Sequence, residues 1–317
     1  MKKLLLLLLL IGGTAMAFLF DYFVNLPQPV AKDVLFLVQK GDSLNKIAQS
    51  LEEQKLINNK YLFILYLKIN RLYPQIKAGE YLIDKNVSIV QVAEKLKSGK
   101  VYLRKITFPE GLTSVEIAGL LQDDEFLARE DFEIPQEGSI LPETYTFIRG
   151  DSPKKVLAQA QKSMTEVLEQ AWNERAENLP LKSKEELLIL ASIVEKETGV
   201  GSERAQVAAV FVNRLRLGML LQTDPTVIYA ITKGKEELNR PLTRKDLAID
   251  SPYNTYKYAG LPPAPICNPG KEAIFAAAHP VNSEYLYFVA SGTGGHNFAA
   301  TLSEHNENVR KWRALNK

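Results

Sequence analysis

From Leu4 to Phe20 the chain is apolar at almost every position, and no later stretch is both as long and as apolar. This run is near the lower length limit for a helix that spans a bilayer. Lys2 and Lys3 precede it, so the lysine end is expected in the cytoplasm and the rest outside. A cleaved signal peptide is the competing reading, because Ala15-Met16-Ala17 suits a cleavage site. Phe18, Leu19 and Phe20 carry the apolar run past that site, which favours an uncleaved anchor over residues 1–24.

The pattern then shortens. Asn25 to Asp33 predicts a linker, Val34–Val38 a strand and Lys40-Gly41-Asp42 a turn. Ser43 caps a helix whose inner face is Ile47, Ala48 and Leu51. "NKYLFILYLKIN" predicts a second helix, "AGEYLI" a strand, and "SIVQVAEKLKSG" a helix capped by Ser88 and stopped by Gly99. These pieces make a small α+β unit over residues 33–101.

Residues 102–317 form the larger expected domain. "VYLRKITF" predicts a strand, "SVEIAGLLQ" a helix, and "EGSILPETYTFI" a loop. A long amphipathic helix opens at Ser152-Pro153 and runs to about Glu177. Ser183 and Glu186 form a capping box before "LLILASIVEKET", with Gly199 as its left-handed end. Helices at "ERAQVAAVFVNRLRL" and after Asp224-Pro225 follow, then the strand "EYLYFVA" and the turn "SGTGG". The fold class is therefore α+β: an apolar N-terminal helix, a small subdomain and a larger domain.

Composition narrows the picture only a little. The 317 residues are 46% hydrophobic and 24% charged, as in globular proteins. A net charge of +2 gives no argument for nucleic acid. The single cysteine, Cys267, excludes an intrachain disulfide. His279, His296 and His305 lack metal-ligand spacing, so no zinc site is expected. No dinucleotide fingerprint, phosphate loop or serine elbow is present.

The chemistry that stands out is Glu195 and Glu197 at the end of a very apolar helix. Helical spacing puts Leu190, Ile193 and Val194 on the face of Glu197, while Glu195 follows Leu188, Ala191 and Ser192. A carboxyl against an apolar wall keeps its proton near neutrality, as a general acid for glycoside cleavage must. The plain reading is that one glutamate pairs with Arg204 or Arg214 and the other is solvated. Asp224 could be a second carboxylate, with helix N-capping as its plain alternative.

"ILASIVEKETGVGSERAQVAAVFVNRLRLGMLLQTDPTVIYA" resembles the endolytic murein transglycosylase family. So do "SPYNTYKYAGLPPAPICNPG", "AAAHPVNSEYLYFVASGTGGHNFAATLSEHN" and "ILPETYTF", in the expected order and over nearly the whole chain. "VQKGDSLNKIA" makes the first unit similar to a LysM module. The resemblance implies one essential glutamate. Lytic transglycosylases and goose-type lysozymes carry an A-x-I-x-x-E-S helix, and sliding "ASIVEKET" onto it aligns Glu197-Thr198 with Glu-Ser, leaving Glu195 second choice. It further implies saccharide contacts among Gln222, Thr223, Asp224, Tyr229, Asn254, Tyr256 and Glu143. The implied reaction cleaves the bond between N-acetylmuramic acid and N-acetylglucosamine within nascent strands, leaves a 1,6-anhydro end, and terminates strand growth beside peptidoglycan synthases. The implied location is the inner membrane, single-pass, with the catalytic domain periplasmic and no cofactor. A muramidase-type hydrolase and a non-catalytic wall-binding scaffold stay open as alternatives.

Overall fold

Ser43, Asn59, Ser88, Thr113, Ser152 and Ser183 each accept a backbone N–H at the start of a helix. These side chains satisfy donors that have no partner inside the helix, so they fix where each helix begins. The computed structural model describes residues 2–28 and 30–315. The chain divides into two compact units, residues 1–104 with 147–150, and 105–146 with 151–317.

The first unit contains α1 (Lys2–Asn25), β1 (Val34–Val38), α2 (Leu44–Glu53), α3 (Lys60–Ile69), β2 (Gly79–Ile83) and α4 (Ile89–Ser98). β1 and β2 pair antiparallel, with Phe36 opposite Tyr81 and Val34 opposite Ile83. Phe36, Leu51, Phe63, Leu67, Tyr81, Ile83 and Leu96 fill the core between this ribbon and the helices. Gly79 has φ +150° and lies against Val101, so a Cβ there would collide with that side chain. α1 is exposed along its apolar length until Phe20 and Val24, which pack on the core. Its length and composition make it a candidate membrane span.

The segment expected as a linker is packed rather than free. Gln28 and Val30 are buried, and Gln28 N donates to Val87 O at 2.8 Å while its Oε1 accepts from Asn58 N at 2.9 Å. Pro29 lies outside the described residues.

The second unit is mainly helical. β3 (Arg104–Thr107) pairs with β4 (Thr144–Phe147), a strand inside the segment expected to be a loop. Alternation explains it: Tyr145 and Phe147 point inward and Thr144 and Thr146 outward. α5 (Ser114–Asp123), α6 (Pro153–Glu174), α7 (Lys184–Glu197), α8 (Arg204–Arg216) and α9 (Asp224–Thr232) follow. α10 (Lys271–Ala278), the hairpin β5 (Tyr287–Ala290) and β6 (His296–Ala299), and α11 (Leu302–Leu315) complete it. The sequence pattern did not predict α10, β6 or α11.

α7 is the centre of this unit. Leu187, Leu190, Ile193 and Val194 are fully buried, packed among α6, α8 and α10. Each such side chain contributes about 2 kcal/mol of burial. Ser192 is satisfied inside the core, since its hydroxyl donates to Ile189 O at 2.7 Å and accepts from Ile266 N at 3.1 Å.

Two local expectations at the ends of α7 fail. Glu186 accepts from Lys182 N at 2.6 Å instead of closing the box on Ser183. At the other end Thr198 is extended at φ −142° and buried, so α7 stops at Glu197 without a left-handed Gly199.

Candidate active site

Because α7 is buried on most sides, whatever follows Val194 begins in a low-dielectric setting. Glu195 and Glu197 leave the helix end in different directions. Glu195 is 5% exposed at its side chain and engaged in structure. Its Oε2 accepts from Gly270 N at 2.7 Å, and its Oε1 lies 3.3 Å from Arg204 Nη2, which also reaches Glu110 at 2.9 Å. The predicted glutamate–arginine pair therefore exists, and it belongs to Glu195.

Glu197 has no such arginine pair among the described residues. It is partly buried in a cleft of about 420 Å3 whose walls include Phe211, Arg214, Leu221, Gln222, Asp224 and Tyr256. Tyr287, Phe288, Leu302 and His305 complete the lining. The Thr223 hydroxyl donates to Glu197 Oε1.

Burial pushes the Glu197 carboxyl above the usual carboxylate range, and the neighbouring Asp224 charge acts the same way. The Thr223 hydrogen bond, His296 and Arg214 oppose this and are outweighed. The negative end of the α7 dipole also disfavours an anion at its last residue. Burial raises Glu195 as well, against the Gly270 N–H and with Glu110 adding to the rise. The direction of the shift therefore does not separate the two glutamates. Access does, because Glu197 faces the cleft.

The segment 222–224 is held against 254–256. Gln222 takes φ +52°, and its N–H donates to Thr255 O at 3.1 Å. Thr223 N donates to Thr255 Oγ1 at 3.1 Å, and the Thr226 and Thr255 hydroxyls are 2.8 Å apart. Asp224 is not the helix cap. Thr223 occupies that position without a side-chain cap bond, and Asp224 Oδ1 accepts from the Tyr256 hydroxyl at 2.6 Å. Burial first, and then this bond, keep the Tyr256 hydroxyl protonated.

Gln222, Asp224 and Tyr256 thus line the cleft with Glu197, and Thr223 orients it. The other expected saccharide contacts lie elsewhere. Asn254 is fully buried, and its amide donates to Leu247 O and Ile249 O at 3.0 and 2.8 Å while its Oδ1 accepts from Tyr256 N at 3.0 Å. It shapes the loop that presents Tyr256. The Tyr229 hydroxyl donates to Glu137 at 3.3 Å, in a network with Ser114 and Asn268 away from the cleft lining. Glu143 is exposed beside β3, and its carbonyl accepts from Phe108 N at 3.0 Å.

Arg214, Tyr287 and His305 line the cleft with no distinct signal in the sequence. Arg214 lies on α8 among similar polar positions, yet it is 8% exposed. Its guanidinium donates to Leu286 O at 2.7 Å and Leu221 O at 2.8 Å and lies 5.2 Å from the Tyr287 ring centre. His305 stacks on the same Tyr287 ring, with 5.2 Å between ring centres. Burial lowers its pKa, so the ring is neutral near pH 7. Its buried Nδ1 has no hydrogen-bond partner among the described residues.

The fold and cleft define a helix-rich domain with a carboxyl-centred site walled by aromatic, amide and hydroxyl groups. Residues 36–311 match the YceG-like family, and the chain belongs to it. A Bacillus subtilis relative named endolytic murein transglycosylase is 33% identical, covering 96% of this chain and 91% of its own. A Streptococcus pneumoniae protein of the same name is 29% identical over 86% of this chain, which spans 57% of that relative's length. A crystal structure of a YceG-like protein from Listeria monocytogenes superposes with a TM-score of 0.55 at 33% identity, covering 87% of this chain and 98% of that one.

Proposed function

We propose that this protein is a membrane-anchored endolytic murein transglycosylase with Glu197 as its acid and then its base. One observation carries the reading: of the two carboxyls at the end of α7, Glu197 alone opens on the cleft, pushed toward its protonated form by burial and oriented by Thr223. The names of the relatives support the substrate class.

In this mechanism Glu197 gives its proton to the glycosidic oxygen between N-acetylmuramic acid and N-acetylglucosamine. The C1–O bond breaks, and N-acetylglucosamine leaves with a hydroxyl at that position. The carboxylate formed takes the proton of the muramyl C6 hydroxyl, whose oxygen bonds to C1. Glu197 ends protonated, and the muramyl residue ends as a 1,6-anhydro sugar. The nucleophile is part of the substrate, so no water needs placing. The sugar's own acetamido oxygen stabilises the charge developing at C1. Gln222 and Tyr256 contact the sugar, and the Tyr287 ring backs it.

α1 acts as an uncleaved anchor, followed by residues 33–101 as a LysM-like subdomain and 102–317 as the catalytic domain. Confined near the membrane, the enzyme meets nascent strands beside their synthases, and each cut ends the growth of a strand. The test is mass spectrometry of purified glycan strands after digestion. Internal cleavage and 1,6-anhydro-muramyl ends, lighter by one water than reducing ends, are expected. Reducing ends as the main product would overturn the mechanism.

A second reading, a muramidase-type hydrolase, is favoured by one observation: Asp224 lines the same cleft as Glu197. A carboxylate there could activate water. The pH profile separates the readings. Cleavage needs protonated Glu197, so activity falls as pH rises through its elevated pKa. Asp224→Asn removes a charge that raises that pKa, so the alkaline limb of kcat/KM should move to lower pH with substantial activity retained. A hydrolase using Asp224 as base would instead lose activity at every pH.

A further inference from the structure

α3 is apolar nearly all round, in the sequence "KYLFILYLKI". A helix of that kind is expected to be enclosed, either in a core or in lipid. The core of the first unit takes only one side of it, Phe63 and Leu67, with Leu62, Ile64 and Tyr66 partly covered. The remaining stripe, Tyr61, Leu65 and Ile69, follows four-residue spacing and is 71%, 46% and 61% exposed. Tyr73, just beyond the helix, is exposed too.

Two further observations say what covers this stripe. The last turns of α1, through Phe20 and Val24, pack into the same core, and α1 contacts α3 directly. α1 has 24 residues, about 36 Å of helix, against a hydrocarbon thickness of about 30 Å. A span of that length leaves its C-terminal turns, and the helix touching them, in the headgroup layer. The charge pattern agrees. Between Glu53 and Glu80 there is no acidic residue, while Lys55, Lys60, Lys68, Arg71 and Lys77 all occur. Lys60 lies 4.0 Å from Glu52. Lys55, Lys68, Arg71 and Lys77 are exposed without a carboxylate partner among the described residues. The whole chain, by contrast, has 39 basic and 37 acidic residues.

We propose that α3 lies in the headgroup layer of an anionic bilayer, with Tyr61, Leu65 and Ile69 toward the acyl chains. Its basic flanks lie among lipid phosphates. An apolar helical stripe with lysine and arginine beside it is the pattern of an interfacial helix. The inference rests on α1 being a membrane anchor. With two contacts in place of one, the first unit is held at a fixed tilt instead of swivelling on α1.

The experiment uses full-length protein in vesicles of equimolar phosphatidylcholine and phosphatidylglycerol. An environment-sensitive fluorophore is placed on Leu19→Cys, Leu65→Cys or Ile69→Cys; the native Cys267 is buried and does not compete. Lipids carrying a nitroxide high on the acyl chain should quench most of the emission at all three positions. In pure phosphatidylcholine the quenching at 65 and 69 should weaken while that at 19 persists; equal quenching would overturn the anionic preference. Quenching at 19 alone, with 65 and 69 open to iodide, would overturn the proposal and leave the anchor standing. No quenching at any position would remove the anchor and the proposal together. Positions 65 and 69 shielded from both quenchers would show a protein partner, including a second copy, and would also overturn it.

Discussion

Glu197→Gln is expected to abolish strand cleavage while leaving the fold intact. The substitution replaces a carboxyl that burial pushes toward its neutral form with a neutral group of the same shape. Thr223 can still donate to the amide oxygen, so that contact is kept. What disappears is the proton for the leaving oxygen and the base that would follow. Loss of general acid catalysis alone costs about 10²–10⁴-fold, and loss of both roles should place the variant at the high end. Turnover of purified strands, alongside an unchanged melting curve, is the measurement. Full activity in Glu197→Gln would end the assignment.

The second large effect is on stability. Glu195→Ala removes the acceptor for Gly270 N–H and leaves Arg204 with Glu110 as its acidic partner. Leaving the Gly270 N–H without its acceptor costs about 1–3 kcal/mol, and Arg204 keeps only the more exposed Glu110. Arg204 Nε is already buried without a partner among the described residues, so the local network has little reserve. The second unit should melt earlier in a thermal or denaturant scan. Glu195→Gln keeps an acceptor for Gly270, should lose less, and should retain much of the cleavage activity. An inactive, folded Glu195→Gln beside an active Glu197→Gln would reverse the two roles.

Much of the local structure was legible in the chain because its causes are local. A serine before an apolar period marks a helix start at Ser43, Ser88, Ser152 and Ser183. The misses share a reason as well. β4 was hidden among turn residues until β3 supplied its partner. α10 begins at Gly270 without a side-chain cap bond, and α11 carries a mostly polar sequence, so neither announces itself. Gln28 and Val30 looked like linker because their partners, Asn58 and Val87 for Gln28 and Asn86 for Val30, lie far along the chain.

The same division runs through the site. By itself the sequence determined that a carboxyl would sit at the end of an apolar helix, and helical spacing put Glu197 on the Leu190–Ile193–Val194 face. Tertiary structure decided what each glutamate does, because Arg204, Glu110 and Gly270 converge on Glu195 from separate segments. It also turned Arg214 and His305 from surface-like residues into cleft walls around Tyr287. It assigned Asp224 to Tyr256 instead of to a helix end, and gave Asn254 and Tyr229 structural partners in place of a ligand. Periodicity reports which side of a helix is apolar over a few turns. Pairing and burial depend on which distant segments arrive there, and no local spacing encodes that.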